Sequence, residues 1–174
     1  MLNFLKNLTD SSPATPPGPV AYPRPMAEMA EYLILLQAAG TAPGSGRKGN
    51  LLRLATLLAD DPYCLGYLHG MFDSLCEQWE VPATERRLVI GTASTILFRD
   101  LLDDCCEPRT IGTIEDKAFN GLHAFAGDGD FRRGRFDGCT ELTRYTATRE
   151  RNDIPARLHE RLKQLLEAAV TTAG

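Results

Sequence analysis

The pattern of apolar and polar residues is helical from residue 26 almost to the end of the chain. Apolar residues recur there at intervals of three and four, which is the spacing of one face of an α-helix. The pattern predicts seven helical segments, at about residues 26–39, 50–60, 62–79, 85–104, 114–126, 139–150 and 155–170. No set of alternating segments predicts a β-sheet. We therefore expect an all-α protein, a single compact bundle of about six to seven helices.

Local signals mark the ends of several of these segments. Asp61 followed by Pro62 predicts the start of a helix, because aspartate is a favoured N-cap residue and proline fits the first helical position. Val81-Pro82 predicts a break between two helices. Of two glycine-rich stretches, residues 40–49 are predicted as a flexible loop and residues 127–138 as a loop or broken helix.

The third predicted segment carries a strip of small residues. Gly66, Gly70 and Ser74 are spaced by four, so they share one face of a helix. Such a strip lets a neighbouring backbone approach closely, although each glycine weakens the helix by about 1 kcal/mol relative to alanine. The next segment carries a similar strip, formed by Gly91, Ser94 and Thr95. We therefore predict that residues 62–104 form a central, close-packed antiparallel hairpin; the alternative is that the first strip contacts a second copy of the protein.

The first 25 residues differ from the helical domain, which we place at residues 26–174. The apolar side chains of the N-terminal peptide include Leu2, Phe4, Leu5 and Leu8. This flexible peptide precedes a stretch with six prolines between residues 11 and 25, predicted to be an extended, semi-rigid linker. Two hypotheses stay open: the peptide docks on its own domain, or it binds a partner protein or a membrane surface.

Composition and charge are those of an ordinary globular protein. Hydrophobic residues make up 43% of the chain and charged residues 24%, and the net charge of −4 argues against non-specific binding to nucleic acid. Five cysteines without a C-x-x-C pair fit a reducing compartment. The N-terminus lacks the pattern of a secretory signal, and no apolar run approaches the roughly 20 residues of a membrane span. We expect a cytoplasmic protein.

One polar helix face offers residues that could carry chemistry. His69 and Asp73 are spaced by four, so both side chains could reach one metal ion or one proton. A small metal-binding or enzymatic bundle is therefore an alternative hypothesis, and a solvated helix face is the simpler interpretation. The chain has no catalytic or cofactor motif, and it lacks the Glu-x-x-His pairs of di-iron bundles. No cofactor, metal ligand set or catalytic residue is predicted, and enzymatic activity is not expected.

The second glycine-rich stretch also contains a basic cluster. Arg132, Arg133 and Arg135 lie beside Phe131 and Phe136. Arginine with aromatic side chains can bind phosphates or single-stranded nucleic acid. The acidic spacing of the stretch resembles a calcium loop, but an arginine replaces the glycine required at the sixth position. Three readings stay open: a charged surface turn, a surface for an acidic partner, and a nucleic-acid-binding regulator.

The sequence favours a non-enzymatic helical protein that binds another protein, as an adaptor, assembly factor or regulator. It would act through the tethered N-terminal peptide and through helix surfaces, with a homo-oligomer as an open alternative. Residues 60–107 carry ten acidic and three basic side chains, so this region suits a basic partner. Nucleic acid is the less favoured partner because the net charge is negative, and membrane contact is expected only through residues 1–8.

Overall fold

The computed structural model describes residues 22–38, 47–148 and 155–171. Within these ranges the protein is all-helical without strands and forms a compact bundle, which confirms the predicted fold class. The helices are α1 (Pro23–Ala38), α2 (Arg47–Asp60), α3 (Pro62–Gln78), α4 (Ala83–Leu102), α5 (Pro108–Ala124), α6 (Gly129–Thr148) and α7 (Arg157–Thr171). Residues 1–21, which include the predicted docking peptide with Leu2, Phe4, Leu5 and Leu8, lie outside the described residues.

Capping groups fix the starts of the helices around the centre of the bundle. The side chain of Asp61 accepts a hydrogen bond from the backbone N–H of Cys64 at 3.0 Å, which confirms the predicted start of α3. Asp128 caps α6 in the same way, accepting from the N–H groups of Asp130 at 2.7 Å and Phe131 at 3.1 Å. These caps satisfy backbone donors that have no partner inside the helix.

The first helix begins earlier than the proline pattern predicts. Pro23 and Pro25, assigned to an extended linker, lie in the first turn of α1. Proline is tolerated there because the first backbone N–H groups of a helix have no intrahelical partner. The preceding Tyr22 is buried and stacks on Trp79, with ring centroids 6.4 Å apart. The folded domain therefore includes Tyr22 and the three residues that follow it.

The core of the bundle is built around α3, which contacts each of the other six described helices. Most of its residues are buried, including Tyr67, Met71 and Phe72. The other helices contribute large side chains from one face each, among them Met26, Leu33, Ile34, Leu58, Leu97, Phe98, Leu102 and Leu142. This central position explains why α3 is apolar almost all round.

The glycines of α3 lie in direct contact with the backbone of α6. A Cβ atom added to Gly66 would lie 2.2 Å from the carbonyl oxygen of Phe131. One added to Gly70 would lie 2.0 Å from the carbonyl oxygen of Arg135. Any side chain at these positions would collide with main-chain atoms. This contact explains why both residues are glycine although glycine has a low helix propensity.

The contact is reciprocal, because α6 brings glycines of its own. A Cβ atom on Gly134 or Gly138 would lie 2.1 Å from the carbonyl oxygen of Tyr63 or Tyr67, respectively. The contacting positions have rising residue numbers along both helices, so α3 and α6 run parallel. Carbonyl oxygens aimed at glycine Cα atoms also fit the weak Cα–H···O contacts found between closely packed helices. This pair is the most intimate helix contact in the described structure.

The predicted partner of the first small-residue strip is therefore wrong. Gly66 and Gly70 pack on α6, and Ser74 Oγ lies 2.9 Å from Thr143 Oγ1 on the same helix. A Cβ atom on Gly91 of α4 would meet nothing within 4 Å. The alternative of a second copy at the first strip is also overturned, since α6 of the same chain fills it.

The second glycine-rich stretch is a helix and not a loop. From Gly129 onward it belongs to α6, which continues without a break to Thr148 and includes Arg132, Arg133 and Arg135. Local propensity argues against a helix here, but packing outweighs it, because the glycines are what allow α6 to reach α3. Among the described helices, none combines the length and the apolar character needed to cross a membrane.

Candidate functional site

A shallow groove lies between α4 and α5 and is lined mainly by apolar side chains. These helices are joined by residues 103–107 and lie side by side. The apolar side chains along the groove are Leu65, Phe98, Ala118, Phe119 and Leu122, and its small residues are Gly91, Ser94 and Thr95. The strip on α4 that was predicted to pack against α3 is therefore part of an open surface.

The small polar residues of this strip present little polarity to the groove. Ser94 donates its hydroxyl hydrogen to the carbonyl of Ile90 at 2.9 Å, and Thr95 donates to the carbonyl of Gly91 at 3.2 Å. Both hydroxyls are thus satisfied within α4. Above Gly91 there is no atom within 4 Å of a Cβ position. The groove floor is therefore low and effectively apolar.

Two large apolar side chains of α4 and α5 are in contact with solvent, and one of them, Phe119, lines the groove. Phe119 of α5 is 57% exposed although it lines the groove, and its ring lies edge-on to His123 with centroids 5.6 Å apart. Leu88 of α4 is 73% exposed and lies one turn before Gly91 on the same helix face. Exposed apolar surface at a concave site is typical of a binding surface.

One acidic side chain, Glu115, is among the residues that line the groove. Glu115 is mostly buried, and its Oε1 atom lies 3.3 Å from Arg99 Nη2. Despite that proximity, Oε1 accepts no hydrogen bond from the described residues. The distance gives an electrostatic contact, while the geometry leaves the oxygen able to accept a further donor.

The two residues of the predicted metal hypothesis do lie together, in a cluster that also includes Arg135. Asp73 Oδ2 lies 3.1 Å from His69 Nδ1 and accepts a hydrogen bond from Arg135 Nε at 2.6 Å. Burial alone would raise the pKa of Asp73, but the hydrogen bonds and charges of His69 and Arg135 outweigh it and hold the pKa below its usual value. The carboxylate of Asp73 therefore pairs with the guanidinium of Arg135, and this ion pair joins α3 to α6. Within the described residues no three potential metal ligands cluster.

The predicted basic cluster is largely neutralised by neighbouring carboxylates. Arg135 bonds Asp73, and Arg133 Nη2 lies 2.8 Å from Asp130 Oδ1. Arg132 is exposed on the surface of α6. Phosphate binding needs several uncompensated cations on one face. The geometry therefore gives the nucleic-acid hypothesis less support than the sequence pattern does.

A buried polar network joins α3, α6 and α7 on the other side of the glycine contact. Tyr63 donates its hydroxyl hydrogen to Asp137 at 2.8 Å, and Tyr67 donates to Glu141 at 2.6 Å. Arg157 of α7 forms an ion pair with Asp137. Burial, and then the neighbouring carboxylates, raise the pKa of both tyrosines well above its usual value. Both therefore stay protonated and act as fixed donors, which is a structural role.

The helix α7 is held mainly by its contacts with this network. Arg161 donates to both oxygens of Asp61, at 3.2 Å and 2.7 Å, and these hydrogen bonds raise the pKa of Arg161. The guanidinium groups of Arg161 and Arg133 lie 5.9 Å and 5.5 Å from the ring centroid of Tyr63. Asp61 thus caps α3 and anchors α7 with the same carboxylate.

Sequence patterns alone did not single out the groove. The strip on α4 was recognised from its spacing, but it was assigned to the wrong neighbour. Leu88 and Phe119 each lie next to buried apolar residues in the sequence, so their exposure could not be read from the pattern. Comparisons with protein-family models, with curated proteins and with solved structures found no match to this chain.

Proposed function

We propose that this protein is a non-enzymatic binding protein whose α4–α5 groove receives a short amphipathic helix from a partner protein. The observation that carries the proposal is the open groove itself, with Phe119 exposed at its side and nothing above Gly91. Grooves of this kind bind the apolar face of a helix. The residues of that helix that contact the groove recur at intervals of three, four and seven. Adaptor, assembly and regulatory proteins use such surfaces.

The chemistry of the groove defines the helix that fits it. Phe119, Leu122 and Phe98 favour apolar side chains, and the low floor at Gly91 leaves room for a large one. Glu115 in the lining favours a basic residue on the flank of the partner helix. The excess of acidic side chains in residues 60–107 supports the same preference for a basic partner.

A matched pair of glycine substitutions tests the proposal. Gly91 and Gly112 both lie inside helices, and a Cβ atom at either would meet nothing within 4 Å. Methionine at either site should preserve the fold, because it improves helix propensity without a clash. Gly91 lines the groove and Gly112 is not among its lining residues, so Gly112→Met is the control.

The measurement is quantitative affinity capture from the native host, with the two variants and the unmodified chain compared side by side. We expect a set of proteins that the unmodified chain and Gly112→Met both capture. Gly91→Met should not capture them. The same set of proteins with all three forms would contradict a role for the groove.

A further inference from the structure

We propose that Cys105 and Cys106 form a dithiol site that chelates one trivalent arsenical, an arsenic centre that carries one organic group and binds two sulfur atoms. The site lies in residues 103–107, the turn that joins α4 to α5. The sulfur atoms of the two residues lie 3.7 Å apart, and neither cysteine is in a disulfide. None of these residues lines the groove, so the site is independent of the proposed function.

The turn presents both thiols from one short segment of backbone. The backbone N–H groups of Cys105 and Cys106 both donate to the carbonyl oxygen of Leu102, each at 2.9 Å. Both side chains pack against the hydrophobic core and stay partly exposed. The turn therefore keeps the two sulfur atoms together at an accessible surface with apolar neighbours.

The distance between the sulfur atoms suits a bridging atom better than a direct bond. Two bonds of about 2.3 Å, the length of a zinc–thiolate bond, span about 3.4–3.8 Å when they meet at about 95–110°. The observed 3.7 Å lies in that range. A disulfide bond is only about 2.05 Å long, and it normally joins residues whose Cα atoms are about 4.4–6.8 Å apart. Consecutive Cα atoms are about 3.8 Å apart across a trans peptide, so a disulfide here would be strained and easily reduced.

The type and number of ligand atoms define the class of centre that fits. Thiolates select soft centres. Structural zinc takes four protein ligands, and within the described residues no three side chains are placed to hold a metal ion, although Asp103, Asp104 and Glu107 belong to the same turn. A monosubstituted trivalent arsenical needs only two sulfur atoms, because its organic group occupies the third position. The apolar neighbours of the turn suit that organic group.

The binding step is a substitution without oxidation or reduction. The two arsenic–oxygen bonding positions of an arsenical oxide are replaced by two arsenic–sulfur bonds. The two thiol protons leave with the oxygen as one water molecule, and arsenic stays trivalent. The adduct therefore has the mass of the chain plus one arsenical less one water.

The other three cysteines do not offer the same chemistry. Cys64 and Cys76 are buried, and burial raises the pKa of Cys76 to about 11 and the pKa of Cys64 further still. Cys139 of α6 is partly exposed, and burial followed by the charge of Glu77 raises its pKa. Cys139 has no adjacent cysteine in the sequence, so it is the single-thiol control.

Intact-mass spectrometry of the full chain under native conditions tests the proposal, with phenylarsine oxide as the probe and a phosphine as the reductant. The unmodified chain and Cys139→Ser should gain one arsenical less one water. Cys105→Ser and Cys106→Ser each keep one thiol in the turn, so an adduct there should carry the full mass of the arsenical. Removing that single-bond adduct should take about a hundredfold less competing monothiol, because two bonds from one turn act as a chelate.

Alkylation of the unmodified chain by N-ethylmaleimide, mapped on peptides, gives a second readout that needs no variant. One equivalent of the arsenical should protect Cys105 and Cys106 and leave Cys139 reactive. Equal protection of Cys139 would overturn the proposal. So would the absence of an adduct with the unmodified chain, or an adduct that has lost water in either single variant of the turn.

Discussion

At the scale of single residues, six of the described helical glycines fall into two classes that the chain pattern does not distinguish. Gly66, Gly70, Gly134 and Gly138 lie against carbonyl oxygens of a neighbouring helix. Gly91 and Gly112 lie over open space. The first class permits the contact between α3 and α6, and the second class costs helix stability without any packing return inside the chain.

Substitution by alanine should separate the two classes. Gly70→Ala forces α3 and α6 apart, because the new Cβ would lie 2.0 Å from a carbonyl oxygen. We expect a loss of about 3 kcal/mol in the free energy of unfolding, at the upper end of overpacking costs. Gly91→Ala should instead gain up to about 1 kcal/mol from helix propensity. Urea denaturation of both variants measures the difference, and equal stabilities would refute the close contact.

The ion-pair cluster around Asp73 predicts a specific dependence on pH. The folded-state pKa of Asp73 is lowered from 3.8, so its ionised form stabilises the fold above the unfolded-state pKa. That contribution is lost as the pH falls through the folded-state value. The stability difference between the unmodified chain and Asp73→Asn should therefore shrink as the pH falls below about 4. Denaturation curves from pH 7 to pH 3 test this, and a difference that grows on acidification would contradict it.

At the scale of helices, α7 is attached through polar contacts more than through a wide apolar face. Leu158 and Leu162 are its fully buried side chains among the described residues. Arg161 and Arg157 bind carboxylates of α3 and α6. A carboxylate that serves two helices couples their stability.

Substitution of Asp61 should reveal this coupling. Asp61→Ala removes the cap of α3 and the partner of Arg161, with an expected loss of about 2–3 kcal/mol. Asp61→Asn keeps a good capping group and removes only the charge, so its loss should be about half as large. Chemical denaturation compares them, and identical losses for the two variants would show that the capping role and the pairing role are not separate.

The sequence predicted the helical class, the start of α3 at Asp61 and the special role of the small strip on α3. It did not predict which helix fills that strip. Spacing along a helix defines a face, but not its neighbour, and the assumption that consecutive helices pack most closely favoured α4. The glycines of α6 decided otherwise, and those same glycines made the stretch look like a loop. Local propensity and tertiary packing therefore disagreed at the place where packing is closest.

At the scale of the whole molecule, the described part of the bundle starts at Tyr22, and two truncations test the role of this residue. Removing residues 1–21 should leave a helical, cooperatively unfolding protein. Removing residues 1–25 also deletes the stacked Tyr22 and the first turn of α1, so its melting temperature should fall by about 5–10 °C relative to the shorter deletion. Circular dichroism during heating compares the two. Equal melting temperatures would contradict the role of Tyr22 in the core.

The groove between α4 and α5 is the proposed binding surface of the whole molecule, and quantitative affinity capture from the native host tests it most directly. The unmodified chain is compared with its Gly91→Met and Gly112→Met forms. Capture of a protein that is kept with Gly112→Met and weakened about tenfold or more with Gly91→Met is the predicted result. Equal capture by both variants would contradict the groove as the binding surface.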